Sequence, residues 1–291
     1  MNLQGIEPSM FYLMLIAYLL GMAFYWVYLG TRNGMLGYFA TIITFAGLVG
    51  NTGAIVLRMI IAQRPPLSNA YEFILTFCWG IVAVLLFTEF RSKIKALGTF
   101  VMPIPVLLLM FILMAMGPDE RIAAAIPPAL KSQWLTFHVI TAMLAYGAFA
   151  ISFGLGLMYL FKAGQSDEKS SRTASKNLPK ISGKASRIPP LETLDELAYK
   201  VVGFAFPLLT LCIITGAIWA NYAWGTYWSW DPKETWSLIT WIIYAGYLHA
   251  RLMYGWKGKR AAWMAVFGFI AVLFTFFGVN YLLPGLHSYA S

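Results

Sequence analysis

The chain has 291 residues, of which 59% are hydrophobic, 16% aromatic and only 11% charged, with a formal net charge of +9. Soluble domains carry roughly 25% charged residues and short apolar runs, whereas a membrane crossing needs about 20 consecutive apolar residues. These numbers exclude a soluble enzyme and define an all-α polytopic membrane bundle. Its two cysteines, Cys78 and Cys212, sit apart in apolar runs with no CxxC, CxxCH or zinc spacing, so no disulfide framework or attached c-type haem is implied.

Taken in chain order, apolar runs bounded by charges or Pro/Gly clusters predict eight membrane-spanning helices: 10–29, 36–61, 71–87, 97–116, 134–161, 201–219, 236–254 and 262–283. Helices are expected rather than strands, because a spanning helix satisfies its own backbone and the runs do not alternate. The first run lacks a basic lead and a small-residue cleavage pattern, and reads as a retained helix. With both termini outside, 16 Lys and Arg fall in inner loops and four in outer loops, while the acidic residues divide six and six. That is a strong positive-inside bias, so the excess charge needs no nucleic acid to explain it. The stretch 162–200 is rich in Ser and Lys and reads as a flexible basic connector on the inner side of an otherwise single domain spanning 1–291.

Between the sixth and seventh spans the outer loop reads WANYAWGTYWSWDPKETWSLITW, residues 219–241. It holds Trp219, Trp224, Trp228, Trp230, Trp236 and Trp241, six of the chain's 11 tryptophans, which is denser than the one or two rings per helix end that an interfacial belt requires. With Gly225 permitting close backbone approach and Tyr222 and Tyr227 alongside, the loop is expected to form a flat apolar wall for a large planar ligand. The run Asp231-Pro232-Lys233-Glu234 has N-cap, N1 and N3 residue types, a capping box that would start the seventh span and anchor the loop to it.

Only three histidines occur. His138 lies about a turn below the outer end of the fifth span, His287 lies just past the eighth, and His249 lies roughly 20 Å down the seventh. A lone membrane histidine can simply bond a neighbouring helix, but an ionisable group at that depth is also a site candidate. Two outer imidazoles flanking an indole wall suggest axial ligation of haem. His249 has no fourth histidine to pair with, so a second ligand there would have to come from another subunit. Arg58, Arg251 and Lys233 are candidate propionate partners, although Arg58 and Arg251 near helix ends also read as snorkelling residues. Glu72 and Asn69 are expected to order the outer loops, and the 14 methionines to fill the core.

At these residues the sequence resembles the CcsA (ResC) family of system II cytochrome c biogenesis. WGTYWSWDPKETW resembles the family's WWD motif, and PLSNAYE (66–72) its outer segment. PALKSQWLTFHV and GLHSYA resemble the segments bearing its two external histidines, and LHAR the one bearing its membrane histidine. The resemblance implies that His138 and His287 ligate an external haem lying on Trp224, Trp228, Trp230 and Asp231, with Gly225, Trp134 and Trp236 beside it, and that His249 ligates haem in transit. It implies haem b as a travelling substrate, a CcsB (ResB)-like partner supplying a further histidine, and thioether attachment to the CxxCH of an apocytochrome c. Its home would be the cytoplasmic membrane, or a thylakoid, with the site facing outward. Competing readings are a haem chaperone or transporter without synthase activity, a b-type cytochrome, and a transporter for aromatic or cationic solutes. A b-type cytochrome usually pairs histidines on facing helices, whereas each helix here carries at most one.

Overall fold

The computed structural model describes residues 3–31, 33–117, 119–122, 130–176, 187–283 and 285. Every predicted span forms as helix, and no strand occurs among the described residues. α1 (Leu3–Thr31) and α2 (Gly34–Ala62) are joined by a short turn in which Asn33 caps α2 by accepting from the Met35 amide at 3.0 Å. α3 (Ala70–Ser92) begins at Asn69, whose carboxamide accepts from the Glu72 amide at 2.9 Å. The predicted fourth span is two helices, α4 (Leu97–Val101) and α5 (Pro103–Ala115), because Pro103 has no amide with which to continue the ladder.

α6 (Gln133–Lys176) and α7 (Leu191–Trp224) are the longest elements, and helix therefore enters the basic connector from both of its ends. α8 (Pro232–Tyr254) follows the tryptophan-rich loop. The last span is α9 (Lys259–Leu273), a single π turn over Phe274–Gly278, and α10 (Val279–Leu282). Seven of these helical stretches are long and apolar enough to cross a membrane. The predicted seventh span, α8, falls outside that group: its first turn carries a polar cap, and its last two turns carry His249 and Arg251.

Antiparallel packing brings the starts of α1, α3, α6 and α8 to one end of the bundle, together with the ends of α2 and α7. Between α3 and α6 the backbones nearly touch. A Cβ on Gly147 would stand 2.8 Å from the Gly80 carbonyl oxygen, so small residues set this interface as they commonly do in membranes. α8 is tied to α6 by a face-to-face pair, Phe149 on Tyr244, with ring centroids 3.6 Å apart.

At the same end of the bundle, Arg58 is 2% exposed and bonds Glu72 through Nε at 3.0 Å and Glu7 through Nη1 at 3.1 Å. Arg64 donates to the second Glu72 oxygen at 2.9 Å, and the Ser68 amide donates to the same oxygen, also at 2.9 Å. This corrects the expectation that Arg58 snorkels. Its partners lie 14 and 51 residues away in sequence, and together they lock three helix ends and the PLSNAYE loop. A buried pair of this kind resists the loss of either member, at about 3–5 kcal/mol for an orphaned charge.

Candidate functional site

A cavity opens at this end between α3, α6, α7, the start of α8 and the π turn. Its wall includes Phe73, Phe77, Tyr146, Trp219 and Phe276, with His138 among them. His138 is held from α7. Its Nδ1–H donates to the Cys212 carbonyl at 2.8 Å, since a carbonyl oxygen can only accept. That bond fixes the tautomer and leaves the ring's lone pair on Nε2, the arrangement in which a histidine serves as a metal ligand. The contact exists because residue 216 is glycine: a Cβ there would stand 2.7 Å from Nδ1. Trp219, 2% exposed, lies nearly parallel to the imidazole at 6.4 Å between centroids and joins Leu67, Leu130, Leu135 and Val139 in a small core beneath it.

The six indoles do not share one face. Trp224 packs edge-on against Trp219 at 4.9 Å, and Trp228 lines the cavity with Trp230 perpendicular to it at 5.7 Å. Trp230 itself is 69% exposed at a positive φ of 60°, Trp236 turns onto Phe274, and Trp241 donates to Thr210 deeper in the bundle. Trp134 packs on Phe137 and is not part of the cavity wall. Gly225 serves as a left-handed C-cap of α7 at φ 77°, with open space around it, so its use is to turn the chain and not to admit a close neighbour. The free volume is about 160 Å³, below the ~300–1,000 Å³ of typical ligand sites. A porphyrin is larger than this space; the turn from Gly225 to Trp230 borders it through Tyr227 and Trp228 and is bonded to the start of α8 through Ser229 and Glu234.

The capping box is present as predicted. Asp231 accepts from the Lys233 amide at 3.0 Å, and Glu234 Oε2 accepts from the Asp231 amide at 3.2 Å and from the Ser229 amide at 2.7 Å. Burial lowers Lys233, in the polar first turn of α8 ahead of residues 236–254, to about 8, against the opposing pull of Asp231. Arg251, the other candidate propionate partner, is committed elsewhere: it bonds Asp195 at 2.6 Å and lies over the Tyr199 ring.

His249 stands far from this cavity, exposed on the outer surface of α8 toward its C-terminal end, with Tyr254 against it at 5.7 Å. His287 lies outside the described residues. Of the three predicted ligands the structure thus describes two and does not bring them together. The Cys212 carbonyl, Gly216 and the Arg58 cluster were missed by sequence reasoning. An arginine and a carboxylate inside apolar runs were the available signal for the cluster; a backbone acceptor 74 residues away from His138 has none.

The fold and the site define a polytopic helical membrane protein of cytochrome c assembly: residues 67–287 match the family described as "Cytochrome C assembly protein". Among similar chains are proteins described as "Cytochrome c biogenesis protein CcsA". That of Guillardia theta is 42% identical, covering 94% of this chain and 91% of that one. Those of Pyropia yezoensis (99% of each chain) and Gloeobacter violaceus (94% and 93%) are both 36% identical. The chain belongs to the CcsA family, and its role is in cytochrome c biogenesis. The same fold occurs in a solved structure titled "Cytochrome c Heme Lyase CcmF", with a TM-score of 0.69 and 16% identity over 95% of this chain, which spans about half (47%) of that longer protein.

Proposed function

We propose that the chain carries haem across the membrane and presents it, at the tryptophan-rich end of the bundle, for attachment to apocytochrome c. Haem b is the substrate in transit. His138 takes one axial position and His287 the other, and the ring lies against Trp224, Trp228 and Trp230 with Asp231, Gly225 and Trp236 setting the loop and Trp134 at its margin. His249 ligates haem on its way through, with a histidine from a CcsB-like partner on the other side of the iron. The tryptophan-rich end faces outside, in accord with the basic residues concentrated at the opposite loops, in a cytoplasmic or thylakoid membrane.

One observation carries this reading. A histidine is oriented by a backbone carbonyl, with its metal-binding lone pair on Nε2, in a largely apolar cavity lined by two of the six indoles, Trp219 and Trp228. The chemistry asked of the site is mostly positioning. A cysteine thiol adds across a haem vinyl when both are held in one geometry, and orientation alone supplies about 7–11 kcal/mol of such a barrier. The Arg58–Glu72 cluster fixes the helix ends on one side of the cavity, and the capping box fixes the start of α8 on another.

The test is co-expression with a CcsB-like chain and a CxxCH reporter, scored for bound and for covalent haem. His138→Ala should abolish covalent attachment and reduce bound haem. Unchanged haem content together with normal attachment would refute the assignment.

A further inference from the structure

Two acceptors on the cavity wall have no donor. Glu234 is held by its Oε2, which takes bonds from the Ser229 amide at 2.7 Å, the Ser229 hydroxyl at 3.2 Å and the Asp231 amide at 3.2 Å. Its other oxygen, Oε1, is buried and meets no hydrogen-bond partner. Asn280 donates through Nδ2 to the Phe276 carbonyl at 2.9 Å, and its Oδ1 is likewise buried without a partner. Both residues line the same cavity as His138. Buried polar atoms are nearly always satisfied, so two unsatisfied acceptors in one wall point to a ligand that brings donors.

Haem brings none. Its propionates are acceptors, its vinyl and methyl groups are apolar, and its nitrogens are occupied by iron. Among the described lining residues the charged ones are Glu234 and Lys233, so the wall offers propionates no net positive charge. The polypeptide substrate does bring donors: the S–H of each cysteine, the imidazole N–H and the backbone amides of CxxCH.

We propose that Glu234 and Asn280 receive the apocytochrome segment and that Glu234 is the proton carrier for thioether formation, an inference that rests on the synthase reading above. The vinyl edge of haem then faces this wall and the propionate edge faces away. Glu234 Oε1 takes the thiol proton, the sulfur bonds to the inner vinyl carbon, and the same proton passes to the terminal carbon. The S–H bond and the π bond break, C–S and C–H bonds form, and no electrons leave the pair of reactants. Asn280 Oδ1 is a positioning acceptor for the peptide.

The experiment uses the complex of the full chain with its CcsB-like partner, loaded with haem, and follows attachment to a CxxCH peptide in a single turnover. Glu234→Gln is the variant of choice, because Gln at N3 still accepts within a capping box and the helix start is preserved. Attachment should slow by about 100-fold or more, the usual worth of positioned proton transfer, while bound haem stays within twofold of wild type. Asn280→Leu should raise the KM for the peptide several-fold with the limiting rate unchanged. Attachment by Glu234→Gln at the wild-type rate would overturn the proposal, as would loss of bound haem in that variant, which would assign the carboxylate to haem and not to the proton. An unaltered KM in Asn280→Leu would overturn its part. A wild-type complex that binds haem yet forms no thioether would instead defeat the synthase reading, leaving the two failures distinguishable.

Discussion

His138 and His249 are the same residue type toward opposite ends of one bundle, and their surroundings differ. His138 is turned inward, its Nδ1 bound to the Cys212 carbonyl and its ring over Trp219, in a cavity shaped by five elements. His249 is turned outward from α8, with the Tyr254 ring edge-on to it, among exposed side chains such as Ile242 and Leu252. The first imidazole is held in one orientation by the chain's own backbone. The second is exposed, and under the proposed function the group that completes its site comes from the partner.

Several changes should break or sharpen that contrast. The largest effect is expected from Arg58→Met, which takes the arginine from buried Glu7 and leaves Glu72 to Arg64 and the Ser68 amide alone: about 3–5 kcal/mol of stability, read from thermal unfolding in detergent. Gly216→Val should leave the fold nearly intact but push the imidazole off the Cys212 carbonyl, lowering haem occupancy at His138 about tenfold or more in an absorption titration. The same substitution should leave any haem held at His249 untouched. Asp231→Ala removes the α8 cap and should cost about 0.5–2 kcal/mol, again measured by unfolding. His249→Ala, on an exposed face, should change the stability of the isolated chain by less than about 0.5 kcal/mol, yet lower haem in the complex with its partner. The smallest effect concerns Lys233. With its folded value lowered to about 8, the unfolded chain binds the extra proton between there and the ordinary lysine range, so stability should rise as pH climbs through that window. Lys233→Met should lack this rise, and below about pH 8 the group's contribution should be flat.

Much of this was legible in the sequence. Hydropathy located every span because burial in lipid tolerates few charges, and the capping box was readable because its chemistry is local, confined to residues 231–234. The break at Pro103 was also local and could have been read from the missing amide. Long-range partners could not. Arg58 looked like a snorkelling residue because its neighbours in sequence are apolar, and its carboxylates arrive from α1 and α3 only after folding. The tryptophans were counted correctly but their directions were not, since each indole takes the side its own stretch of helix or turn presents: Trp219 inward, Trp230 outward, Trp236 toward the last span. The density of a residue type along the chain marks a region, and folding decides which members meet.

The π turn at Phe274–Gly278 has a consequence for the tail. One extra residue in a helical turn changes the phase of everything after it, by about a hundred degrees on an α-helix. Here the shifted stretch carries the backbone of Gly285 against the Asp231 carboxylate, where even a methyl group would collide at 2.5 Å. Deleting one residue from that turn would rotate the stretch after it and take Gly285 off the Asp231 carboxylate at the start of α8.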